Sequence, residues 1–111
     1  MEFENAIEAF QALGHEIRLK VFQLLMVKGE DGLPAGEIAR SLEVTPSTLS
    51  SHLHVLKRAG LLSSTRTKQR INYAVNIEGT RELFEFMTFD CCNGQPEICQ
   101  GLFDLPRGSK S

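Results

Sequence analysis

The sequence predicts a mainly α fold of about five helices with one small β-hairpin, and three observations support it. Apolar residues recur at helical spacing in successive runs along the 111 residues. Glycines and prolines punctuate those runs at Gly14, Gly29, Gly32, Pro34 and Gly60. Two strand-like runs, Leu61 to Thr65 and Ile71 to Val75, flank a polar connection. The length suits a single core, at a size where a second subunit would help burial.

Taken in order, Phe3, Ile7, Phe10 and Leu13, with Ala6 beside them, predict a first amphipathic helix that Gly14 interrupts. Ile17, Val21, Leu24 and Leu25, with Phe22, predict a second helix through about Val27. The run KGEDGLP ends it, and Pro34 suits the first turn of a short third helix lined by Ile38, Ala39 and Leu42. The next helix has the clearest local signals. Thr45 is a good N-cap, Pro46 stands at the first helical position and Gly60 follows as the stop. Leu49, Leu53 and Leu56 form one buried stripe, and at 100° per residue Ser47, Ser51, His54 and Arg58 gather opposite, with Thr48, Ser50 and Lys57 on the flanks. His52 lies at the edge of the stripe, as a packing or hydrogen-bonding residue rather than an outward one. The hairpin follows with a cationic connection over residues 66 to 70, and Glu78 to Phe89 returns to helical spacing through Leu83, Phe84 and Met87.

Charge is segregated behind a formal net value of -2. Residues 1 to 43 sum to -4 and residues 78 to 111 to -3, whereas residues 44 to 77 carry no acid and five bases, Lys57, Arg58, Arg66, Lys68 and Arg70. That positive island coincides with the polar helix and the hairpin. A short helix, a turn, a helix with a small polar N-terminal face and a basic-tipped hairpin is the order of a winged helix-turn-helix DNA-binding domain. Small side chains let a helix backbone approach base edges, and Arg and Lys on a hairpin meet phosphates or the minor groove. Base contact is expected from Ser47, Thr48, Ser51 and His54. Backbone or minor-groove contact is expected from Thr45, Lys57, Arg66, Lys68 and Arg70.

The run AGEIARSLEVTPSTLSSHLHVLKRAGLL, with GHEIRLKVFQLL before it, resembles the ArsR-type family of small metal-sensing repressors over roughly residues 10 to 77. The resemblance rests on Ser47, Ser50, His52, Leu53, Leu56, Ala59, Gly60 and Leu61. It implies a homodimer held by the first and last helices, presenting two recognition helices to a palindromic operator on double-stranded DNA. Phe3, Phe10, Phe84 and Phe86 are compatible with this, loading both terminal helices with aromatics beyond the obvious need of so small a core. The alternative is that they only complete the monomer core.

All three cysteines, Cys91, Cys92 and Cys99, fall within DCCNGQPEIC. The N-terminus MEFENAIEAF lacks the features of a signal peptide and no apolar run could span a bilayer, so a cytoplasmic protein with reduced thiols and no membrane role is expected. Two inducer positions implied by the family are empty here: GLPAGEIA holds no Cys-x-Cys, and the last helix offers Glu82 and Glu85 but no histidine. The cysteine segment instead resembles that of arsenic-responsive members. Trivalent arsenic, and antimony like it, takes three thiolates in a pyramid, whereas structural zinc prefers four ligands. The expectation is a domain over residues 1–90 that binds DNA and dimerises, followed by an inducer segment and tail over 91–111. It holds no constitutive cofactor, and As(III) or Sb(III) releases the repressor. A redox switch, or cadmium or lead on the same thiols, is the alternative. Ser47, Ser50, Ser51, His52 and His54 share one helix with no acid to orient an imidazole, which argues against an enzyme.

Overall fold

The computed structural model describes residues 1–90. It contains α1 (Phe3–Leu13), α2 (Glu16–Lys28), a 3-10 turn (Gly29–Asp31), β1 (Leu33–Pro34), α3 (Ala35–Leu42), α4 (Pro46–Arg58), β2 (Leu62–Thr67), β3 (Arg70–Val75) and α5 (Ile77–Glu85), which runs on as a π turn over Phe86–Asp90. The three strands form an antiparallel sheet in the order β1-β3-β2. None of the described helices is long and apolar enough to cross a membrane.

Local chemistry sets the helix ends. The His15 ring caps α2 by accepting from the Ile17 N–H at 3.2 Å, and Lys20 pairs with Glu16 at 3.0 Å one turn on. Between α3 and α4 the chain turns through Glu43, held at φ 58. Thr45 then caps α4 by accepting from the Thr48 N–H at 3.3 Å. At the far end the Gly60 N–H donates to the Lys57 carbonyl and the Leu61 N–H to the Leu56 carbonyl, each at 3.0 Å, with Gly60 at φ 84. This double return is a Schellman stop, and Leu61 and Leu56 seal it from within the core.

Val21, Leu25, Ile38, Leu49, Leu53, Leu56, Leu61 and Leu62 fill the centre, drawn from α2, α3, α4, β2 and the turn before β2. The leucine stripe of α4 therefore anchors the helix whose other face is polar. The Asn76 N–H donates to the Leu61 carbonyl at 2.9 Å, and its side chain caps α5 through the Gly79 N–H at 3.1 Å. Gly79 itself lies directly against the Gly60 carbonyl, where any Cβ would overlap that oxygen.

Three features differ from the sequence expectation. The face of α1 turned to the core is Ala6, Ala9 and Ala12, while Phe3, Ile7 and Phe10 remain 66%, 45% and 44% exposed. Small alanines let α1 approach closely, and the aromatic stripe is left outward. The sheet gains β1, which pairs Leu33 with Tyr73 and Pro34 with Asn72; Gly32 at φ 65 permits the approach, because a Cβ there would strike the Tyr73 carbonyl. The strands of the hairpin also run longer than expected, leaving only Lys68 and Gln69 in the turn.

Candidate nucleic-acid interface

Thr45, Ser47, Thr48, Ser51 and His54 are all exposed along α4, on the side away from Leu49, Leu53 and Leu56. The hydroxyls at the start of the helix are ordered: Thr45 Oγ1 donates to Thr48 Oγ1 at 2.9 Å, and Ser51 Oγ donates to the Thr48 carbonyl at 3.1 Å. The result is a short, polar surface without long side chains, through which a helix end and its small groups can enter a major groove. Lys57 and Arg58 follow in the last turn.

Lys57, Arg66, Lys68 and Arg70 are exposed as well, and none of the five cations of the positive island joins an ion pair among the described residues. The hairpin register pairs Arg66 with Ile71 and Thr67 with Arg70. Paired residues share a face and neighbours alternate, so Arg66 and Arg70 project from opposite faces of the wing, with Lys68 at its tip. An edge-on wing can thus address phosphates on both of its sides.

Arg70 also lines a groove of about 420 Å³ together with Gln69, Ile71, Tyr73, Glu37 and Arg40. Arg40 is a cation that sequence reasoning left out of the interface. It lies in the acidic first third of the chain, and only the fold brings α3 beside the wing.

Cys91, Cys92 and Cys99 lie outside the described residues, as does the whole of 91–111. Among the described residues no group of three or more His, Cys, Asp or Glu side chains is placed to hold a metal ion.

Unpaired cations on a protein surface predict a steep salt dependence. If about five phosphates are neutralised per chain, log affinity falls with log salt at a slope of roughly -4 to -5, several hundredfold between about 50 and 200 mM. Fluorescence anisotropy of a labelled duplex across that range measures the slope, and a flat curve would contradict the electrostatic interface.

A family model described as a helix-turn-helix domain matches residues 13–65, from the end of α1 through most of β2. The chain is similar to the HTH-type transcriptional regulator YgaV of Escherichia coli, at 34% identity over 80 residues, 72% of this chain and 79% of that one. It is also similar to the transcriptional repressor SdpR of Bacillus subtilis, at 33% identity over 78 residues, 70% of this chain and 83% of the other. Among solved structures, an ArsR-like transcriptional regulator from Rhodococcus superposes with a TM-score of 0.70 at 20% identity, over 91% of each chain. That last likeness is one of fold.

Proposed function

From the membership of this chain in the ArsR family of winged helix-turn-helix transcriptional regulators, which bind DNA and are not enzymes, we propose that it is a homodimeric cytoplasmic repressor released from a palindromic operator by trivalent arsenic or antimony. The thiolates of Cys91, Cys92 and Cys99 are the inducer ligands in this reading. The observation that carries it is their clustering: every cysteine of the chain lies within nine residues that follow α5 in sequence. Three soft donors without a fourth strong ligand suit an ion that takes a thiolate pyramid.

Exposed aromatics support the dimer. Phe3 and Phe10 on α1 and Phe84 on α5 are 66%, 44% and 56% exposed, and Phe3 meets Phe86 edge-on with ring centroids 5.5 Å apart. Phe3 and Phe86 thus bring the two terminal helices together, and exposed aromatic rings on both are apolar surface of the kind a second copy covers. The inducer segment follows α5 and its π turn in sequence, so an ion bound there is linked through the chain to the proposed dimer element. By linkage, an ion that prefers the free protein weakens DNA binding reciprocally, typically by about 1–3 kcal/mol.

The test titrates the reduced protein, bound to its own promoter DNA, with arsenite, antimonite, cadmium, lead and peroxide in parallel. Arsenite and antimonite are expected to release the DNA, and Cys91→Ser, Cys92→Ser and Cys99→Ser should each lose that response while still binding DNA. Release by peroxide alone would assign the thiols to a redox switch, and release by cadmium or lead alone to a different soft ion. An affinity indifferent to arsenite in the wild-type chain would sink the proposal.

A further inference from the structure

Arg18, in the first turn of α2, bonds to two other helices at once. Its Nε donates to the Ala12 carbonyl at 2.7 Å and its Nη2 reaches the Gln11 carbonyl at 3.5 Å, which satisfies acceptors at the C-terminal end of α1. Its Nη1 lies 3.2 Å from Nδ1 of His52 on α4. His52 is half-buried between Ser51 of the polar face and Leu53 of the core stripe. Its ring packs against that of His15, with centroids 4.5 Å apart and planes at 44°.

The chemistry of these contacts fixes a protonation state. A guanidinium has only donors and keeps its proton throughout the working range, so His52 must present a bare lone pair at Nδ1. His15 Nδ1 accepts from the Ile17 N–H. With its bond to Arg18 in place the His52 ring is neutral and carries its proton on Nε2. A proton added at Nδ1 of His52 removes the Arg18 hydrogen bond and sets two cations face to face.

We propose that Arg18 and His52 are positioning residues for DNA reading, forming a strut between the α1–α2 corner and the recognition helix that holds only while His52 is neutral, so that operator binding weakens in mild acid. The leucine stripe of α4 keeps the helix in the core when the strut opens. What is lost is the contact at its edge that sets the roll of the helix, and with it the aim of Ser47, Thr48 and Ser51. The inference rests on the DNA-binding family and not on the cysteine reading.

The surrounding charges favour this behaviour. Burial, then His15, then Arg18 push His52 below the ordinary histidine range. Among the described residues no carboxylate offsets them: α4 carries none, and Glu4 and Glu8 of α1, Glu37 and Arg40 of α3 and Arg66 of β2, on the other elements packed against α4, are not among the groups that act on the ring. Glu16 faces His15 but is paired with Lys20 at 3.0 Å. The sign follows. A histidine whose pKa is depressed in the closed state contributes fully above about pH 6.5 and loses that contribution as pH falls towards its depressed value.

The full-length chain can be tested on a duplex that the wild type selects from a random-sequence pool at about pH 8. Affinity for that duplex is then measured between roughly pH 7.5 and pH 5.5 for wild type, His52→Gln and Arg18→Met. Wild type is expected to lose about tenfold or more towards acid. A glutamine amide in place of the imidazole accepts from Arg18 without titrating, so His52→Gln should stay within about threefold of wild type at the upper pH and remain nearly flat below it. Arg18→Met should bind weakly at every pH and lack the acid limb. A wild-type affinity that stays level or rises towards acid overturns the proposal, and so does a His52→Gln profile that follows the wild type. Should Arg18→Met melt in this range, the comparison of His52→Gln with wild type decides alone.

Discussion

Ser51→Asp is expected to reduce affinity for operator DNA by about 100-fold, close to 3 kcal/mol, while the protein remains folded. Ser51 is exposed in the middle of the polar face of α4, two residues ahead of the buried Leu53, and its hydroxyl donates to the Thr48 carbonyl of its own helix. An aspartate there costs the helix no more than roughly half a kcal/mol of propensity. It places a negative charge on the surface that must approach phosphates and base edges, and residues 44–77 hold no other acid. Anisotropy titration of the variant, with its thermal melt as control, measures both quantities. Binding within about threefold of wild type would move the reading surface away from this face of α4.

Gly79→Ala is the substitution with the largest expected cost in stability, about 3 kcal/mol, which lowers the melting temperature by roughly 10–20 °C. The added methyl meets the Gly60 carbonyl, a backbone oxygen held in the Schellman stop and unable to rotate aside. Either α5 lifts from the corner or Gly60 is displaced, and the first disturbs Asn76, which bonds to both Leu61 and Gly79. Gly36→Ala supplies the control. A methyl at Gly36 comes no closer than 3.9 Å to an Arg40 nitrogen, so helix propensity should make that change neutral or stabilising by up to about 1 kcal/mol. Equal melting temperatures for the two variants, followed by circular dichroism, would remove the close contact of Gly79 from the account of the fold.

Much of this arrangement was legible where the physics is local. The cap at Thr45, the proline after it, the stripe of Leu49, Leu53 and Leu56 and the stop at Gly60 each act within a few residues, and α4 lies where they place it. The packed face of α1 was not legible. Phe3, Ile7 and Phe10 and the alanines at 6, 9 and 12 are both apolar sets at helical spacing, and periodicity cannot rank a large stripe above a small one when close approach favours the small. Two-residue β1 has no pattern of its own and exists by pairing with Asn72 and Tyr73. Arg66 and Arg70 read as loop residues because charge clusters usually mark turns, yet their backbones continue the ladder.

For the site, amphipathic spacing alone displayed the exposed face from Thr45 to Lys57. The Arg18–His52 contact was beyond such reasoning, because its partners stand 34 positions apart. Arg40 was hidden for a related reason, since its proximity to Arg70 arises only when α3 and the wing share a groove. The cysteine segment was read from a family resemblance together with donor chemistry, and it lies outside the described residues.

The alanine face of α1 bears on how the protein responds to its own abundance. Ala6, Ala9 and Ala12 each bury little area, while Phe3, Ile7 and Phe10 leave 66%, 45% and 44% of their surface in water. In a homodimer a second copy covers those rings, and the fastening of α1 becomes a matter of mass action. Arg18 ties the C-terminal end of the same helix to the recognition helix. If the proposed dimer covers those rings and the proposed strut holds, copy number acts on the pose of the reading surface as well as on how many operators are filled, and occupancy rises more sharply with supply than the number of molecules alone dictates.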